Sequence, residues 1–217
     1  MFIPIVIAIL LGTVGEMPLM MIVKELLRSL LRLFSAYFVS LFLAYVLAIW
    51  TSQSVLGDYF ILLFDMLQNL PSFALIPLFA YIFGYTNEMA VVFTITSVIW
   101  PILFYILHSL KMARTDLNDA ATVFGANSWN RIFYYLIPLS FPAAVTGSIV
   151  AFNVGWESII GIEIIGLTNG IGFYLNNALY SSRELFAFGL SVLLLFVFVL
   201  NRLVWMPLLK KSQLYEE

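Results

Sequence analysis

Cysteine is absent from this 217-residue chain, which excludes disulfides, thiol catalysis and cysteine-ligated metals. Charge is scarce too. Asp, Glu, Lys and Arg make up 10% of the residues, against about a quarter in a soluble domain. The formal net charge of −2 offers no basic surface for nucleic acid. One histidine, His108, leaves no ligand cluster for a metal, and it closes an apolar run, where an interfacial anchor is expected rather than a ligand or proton relay. None of the four lysines follows a glycine, so there is no phosphate-binding G-x-x-x-x-G-K-[ST] loop, and the chain cannot hydrolyse ATP by itself. No catalytic constellation, cofactor motif, internal repeat or low-complexity segment stands out.

What the chain has is apolar surface. It is 63% hydrophobic with a mean hydropathy of +1.02, more than a soluble fold can bury, so lipid is the expected solvent. At about 20 apolar residues per crossing, the length predicts one all-α membrane domain, 1–217, with five or six transmembrane helices. Spans are expected near 1–22, 31–50, 59–82, 89–109, 138–160 and 186–206. The first is interrupted by Pro4, Gly12, Gly15, Glu16 and Pro18, and is read as a half-span, a peripheral helix or a first span. It lacks the basic start and small-residue cleavage site of a secretory leader. Pro71 and Pro77 deprive the third span of backbone bonds, so a kink or break is expected there. Freed backbone at membrane depth is tolerated only against protein or a cavity, which makes this span a candidate pore-lining element.

One long polar interruption remains, about 111–137. Its basic residues Lys111, Arg114 and Arg131, and Lys210 and Lys211 two spans later, belong on one side, which the positive-inside rule makes cytoplasmic. Lys24, Arg28 and Arg32 then lie outside, as an interfacial amphipathic helix or as snorkelling anchors of the second span. Within the interruption, Asp116 or Asn118 can cap a first short helix that Gly125 stops. A second, amphipathic helix is expected from about Ser128 to Leu136, ended by Pro138. Ala120 and Ala121 form a surface that another protein can approach closely.

Asp119-Ala120-Ala121, three residues, Gly125, nine residues, then Tyr135-x-Ile137-Pro138 resembles the EAA signature of ABC importer permeases. Asp replaces the usual Glu, Tyr replaces Ile, and Ile replaces Leu, with the spacing kept. The Gly and Pro would fall in this register in roughly 0.4% of random windows at average usage. The third-span stretch FDMLQNLPSFALIPLFAYIFG, Gly155-Trp156 followed by Glu163, and Gly170-Ile171-Gly172 are similar to the nitrate, sulfonate and taurine group. The closing Asn201–Leu208 is nearer to a subgroup of duplicated anion-transport permeases, which fuse two halves in one chain; here there is a single half.

The resemblance implies a type I ABC importer permease fold, with the loop serving as a coupling helix. Asp119, Ala120, Ala121, Gly125 and Pro138 would contact a cytoplasmic ATPase dimer, which binds ATP and Mg. It implies a second permease subunit, identical or different, and an extracytoplasmic solute-binding protein. A small anion or organic anion is the implied solute. The location would be the inner membrane of a prokaryote, with the C-terminus cytoplasmic. Two rivals remain: an ATP-independent secondary transporter or channel, and a structural partner in a heteromeric permease pair.

Polar groups in lipid are functional candidates by default. Gln68, Asn69, Asn153, Trp156 and Glu163 are the candidate translocation-path residues. Gln68 and Asn69, with Asp65, line a cavity or pack against the partner. Glu157 and Glu163, six apart, point to different faces; Glu163 serves the path or a helix-end or inter-subunit hydrogen bond. Trp50, Trp100 and Trp205 are expected in the interface belts. Gly161, Gly166, Gly170 and Gly172 are expected to make the outer loop flexible.

Overall fold

The computed structural model describes residues 19–112 and 128–213. Among these the structure is helical, with no strand. In chain order the helices are α1 (Leu19–Gln53), α2 (Gly57–Gln68), α3 (Ile76–Phe83), α4 (Asn87–Lys111), α5 (Ser128–Arg131), α6 (Ile137–Ile165), α7 (Ile171–Ser181), α8 (Arg183–Leu200) and α9 (Met206–Gln213). Four continuous stretches are long and apolar enough to cross a membrane: Leu19–Gln53, Asn87–Lys111, Ile132–Ile165 and Arg183–Ser212. A fifth, broken element joins Gly57–Gln68 to Ser72–Phe83 at a bend of 79°.

The break falls where Pro71 leaves the helix and a 3₁₀ turn, Ser72–Leu75, leads into α3. Its cause is local: a proline lacks the amide proton and crowds the preceding turn. Two other prolines act more gently. Immediately ahead of Pro138 and Pro207 the chain makes a π-helical turn, Ile132–Leu136 and Asn201–Trp205, where the Ile137 and Met206 amides bond carbonyls five residues back. The wider turn absorbs the lost hydrogen bond without ending the helix. Pro138 was expected to terminate a short amphipathic helix; instead Ser128–Ile165 runs on through it.

The core is α4 packed between α1 and α6. Small residues make the approach possible: Ala36, Ala44, Ala48 and Ala151 are wholly buried, and Gly147 lies against Ile102 and Pro101 of α4. Large side chains such as Phe38, Phe42 and Leu31 turn outward. This inversion of the soluble pattern is the packing of helices whose outer solvent is lipid. Trp205, expected in an interface belt, is buried in the core, edge-on to Phe152 and Tyr37.

Two further expectations are corrected. The second span was placed at 31–50, but among the described residues α1 is already helical at Leu19, and nothing between there and Gln53 is a glycine or proline to interrupt it. Lys24, Arg28 and Arg32 are therefore turns of the spanning helix itself, not a separate interfacial one. Gly161, Gly166, Gly170 and Gly172 do not loosen a loop. Gly161 ends against the Phe73 ring, Gly166 against Tyr85, and α6 continues to Ile165 before α7 starts at Ile171. Of the expected span 1–22, only Leu19 onward belongs to the described residues.

Candidate functional site

At one end of the bundle, α1, α4, α6 and α7 are tied by a buried polar clasp. Arg32 and Glu163 meet at 2.6 Å, with side chains 7% and 0% exposed. Arg32 was read as a snorkelling or interfacial cation; it turns inward because its counter-charge is there. Its Nε and Nη2 donate to Asn87 Oδ1 at 2.9 and 2.5 Å, Nη1 reaches the Asn169 carbonyl at 3.3 Å, and Nη2 also bonds Asn169 Oδ1. Glu163 additionally accepts from Ser29 Oγ at 2.8 Å and from the Gly172 amide at 2.9 Å. Ser29 in turn accepts from the Ile171 amide at 2.8 Å, and Glu25 accepts from the Gly170 amide at 2.7 Å while pairing with Arg28 at 2.6 Å.

The three successive amides at the start of α7 are thus met by two carboxylates and a hydroxyl. A helix N-terminus carries partial positive charge and unpaired donors, and here the protein's own acids fill it. Gly170 makes the approach possible: its φ of 107° is closed to side chains, and a Cβ there would run into the Glu163 carboxylate. Glutamate, serine and arginine at 25, 29 and 32 lie on the same α1 stripe as buried Ala36, Ser40, Ala44 and Ala48. That continuity was the available sequence signal for the clasp.

A second polar feature lies deeper. At the break of the broken element, a pocket of about 200 Å³ is lined by Gln68, Ser72, Thr96, Ser97, Trp100 and Val154, among others. Thr96 is satisfied by its own helix, bonding the Phe93 carbonyl at 2.7 Å. Ser97 is not: its hydroxyl is buried and has no partner among the described residues. Gln68 and Asn69 are exposed beside the break, bonding Asp65 Oδ1 and the Asp65 carbonyl, both at 2.6 Å. On α6, Asn153 and Glu157 share an exposed face, one helical turn apart. Trp156 and Glu163 point elsewhere. Trp156 is buried against Phe152 and Phe196, and Glu163 belongs to the clasp.

Residues 40–206 match the model of the family described as binding-protein-dependent transport system inner membrane component. The chain belongs to that family. Its fold is accordingly the type I ABC importer permease fold, and it is an integral membrane protein. Among its relatives, the taurine transport system permease protein TauC of Escherichia coli is 22% identical over 63% of this chain and 50% of its own length. The nitrate import permease protein NrtB of Synechococcus elongatus is 25% identical over 52% of this chain and 41% of itself. The trimethylamine N-oxide transport system permease protein TmoV of Pelagibacter ubique is 27% identical over 79% of this chain and 24% of itself. The chain spans about half the length, or less, of the curated relatives it matches. These names place it in the nitrate, sulfonate and taurine group of importer permeases.

In this permease, the described flanks of the segment that the EAA resemblance singled out are at the end opposite the clasp. Asp119, Ala120, Ala121 and Gly125 lie outside the described residues. Pro138 is described, in the first turn of α6 just after the π turn. The flanks are anchored: Lys111, at the end of α4, pairs with Asp58 of α2 at 2.5 Å, both in contact with solvent. The Ser109 hydroxyl donates to the Leu139 carbonyl at 3.4 Å, joining the two helices that border the segment.

Proposed function

We infer that this chain is one half of the membrane-spanning unit of an ABC importer. It pairs with a second permease subunit, and the open polar face at the broken element lines the passage between them. The carrying observation is that face: Gln68, Asn69, Asn153 and Glu157 are exposed beside a backbone break. Amides, a carboxylate and freed backbone are costly in hydrocarbon and belong against protein or a water-filled cavity. In that arrangement Gln68, Asn69 and Asn153 contact the passage, while Trp156 and Glu163 brace α6 from behind.

Energy enters from the other end. The loop at about 111–137, with Asp119, Ala120, Ala121 and Gly125 and its exit at Pro138, docks on a cytoplasmic ATPase dimer that binds ATP and Mg. Closure of the ATPases moves two such loops and switches two rigid bodies between inward- and outward-facing states. The basic residues around this loop, and Lys210 and Lys211 one outward and one inward crossing later, support a cytoplasmic loop and C-terminus in a prokaryotic inner membrane. The clasp then faces outward, where an extracytoplasmic binding protein delivers the solute. The names of the relatives support a small solute bearing an anionic group.

Gly125→Trp tests this reading. The bulky side chain should abolish solute uptake by the assembled transporter, while the ATPase still hydrolyses ATP. Full coupled uptake by this variant would refute the docking role of the loop.

A further inference from the structure

Glu157 has an unusual position. It lies about 12 Å inside the outer end of α6, at about 1.5 Å per residue, within a membrane-crossing helix. It is exposed, and no hydrogen bond or ion pair engages it among the described residues. The other carboxylates of the spanning helices are accounted for. Glu25 pairs with Arg28, Glu163 with Arg32 and Asp58 with Lys111, while Glu88 and Glu184 sit in first helical turns, where the helix dipole favours them. Asp65, one turn before the break, accepts from Gln68.

The face that Glu157 occupies is the one beside the pocket. Val154, three residues earlier, lines the pocket, and Gly161, four residues later, lies against Phe73 of the turn that follows the break. Residues three and four apart share a helix face, so Glu157 stands at the rim of the cavity that Gln68, Ser72, Ser97 and Val154 line. No cation balances it there among the described residues. Arg28 and Arg32 are committed to the clasp. Arg202 belongs to the helix that packs on Phe152 and Trp156, a flank of α6 turned about half a revolution from Gly161.

We propose that Glu157 is a specificity-determining acid of the passage, and that the solute carries a cationic or N–H-donating group. A zwitterion whose ammonium passes the acid fits this lining; a bare inorganic anion would be repelled by it. The inference rests on the passage reading given above and selects within the anion-bearing solutes proposed there.

The absence of native cysteine makes a direct test clean. Asn153→Cys is placed in membranes holding the assembled transporter, with and without ATP. It is labelled with 2-(trimethylammonium)ethyl and with 2-sulfonatoethyl methanethiosulfonate, and each rate is divided by that of a free thiol in solution. The cationic reagent should be favoured about tenfold, the ratio that a unit charge about 6 Å away produces between opposite charges in water-like surroundings. Adding Glu157→Gln should remove the preference. Should Asn153→Cys fail to accumulate, Val154→Cys serves as reporter on the neighbouring turn. Labelling by both reagents without cationic preference, or a preference that survives Glu157→Gln, overturns the proposal and leaves the permease reading standing. No labelling by either reagent in either condition means that this face meets no water, and overturns the passage reading together with the proposal.

Discussion

Replacing Glu163 by alanine removes an acceptor of hydrogen bonds from Arg32, Ser29 and Gly172, and strands a guanidinium that is 7% exposed. Breaking a buried ion pair from one side costs about 3–5 kcal/mol, because the remaining charge is uncompensated. Asn87 and Asn169 still accept from Arg32, which puts the expected cost near the lower end, about 3 kcal/mol. Arg32→Met should cost a similar amount by orphaning the carboxylate. The paired change Arg32→Met with Glu163→Leu removes both charges, and replacing such a pair by apolar groups is often close to neutral. It still leaves the Gly172 amide without its acceptor, about 1–3 kcal/mol, while the Ser29 hydroxyl keeps the Glu25 carbonyl. The double variant should therefore be no less stable than either single one, giving a coupling energy of at least about 3 kcal/mol in the cycle. Thermal unfolding of the purified permease, followed by tryptophan fluorescence, measures this. A loss of about 3 kcal/mol corresponds to roughly 6–12 °C for a chain of this size. Strict additivity of the two single losses, or single losses below about 1 kcal/mol, would refute the view that the clasp is one energetic unit holding four helices.

Gly170→Ala should destabilise the same melt by about 2 kcal/mol or more, through its positive φ and its collision with Glu163; the loss should shrink in a Glu163→Ala background, and an equal loss there would show that the carboxylate is not the obstacle. Asp58→Asn should leave the melt unchanged, since its partner Lys111 is 45% exposed and Asp58 is 91% exposed; a clear drop in midpoint would mean that the pair is shielded by neighbouring chain.

Much of the architecture was legible because its causes are local. Apolar runs mark the crossings without reference to distant residues, and Pro71 breaks its helix by what it lacks in its own backbone. The loop signature is likewise a matter of spacing along the chain. The reach of α1 was underestimated because three cations at Lys24, Arg28 and Arg32 looked like a boundary, when nothing in the stretch interrupts a helix. Pro138 was expected to end a helix because the π turn that accommodates it is a property of the packed helix.

The sequence by itself determined that this chain lives in lipid, that it crosses several times, and that one span breaks. Hydrophobicity and proline geometry act residue by residue, so they need no fold to be read. Only the tertiary structure decided the fates of the intramembrane charges. Arg32 and Glu163 are 131 positions apart, and nothing along the chain says that they meet. Glu157 and Glu163 are six residues apart on one helix, yet packing buries one in an ion pair and leaves the other open at the rim of a cavity. Burial and pairing depend on which helices become neighbours, and that is settled by side-chain complementarity across the whole bundle.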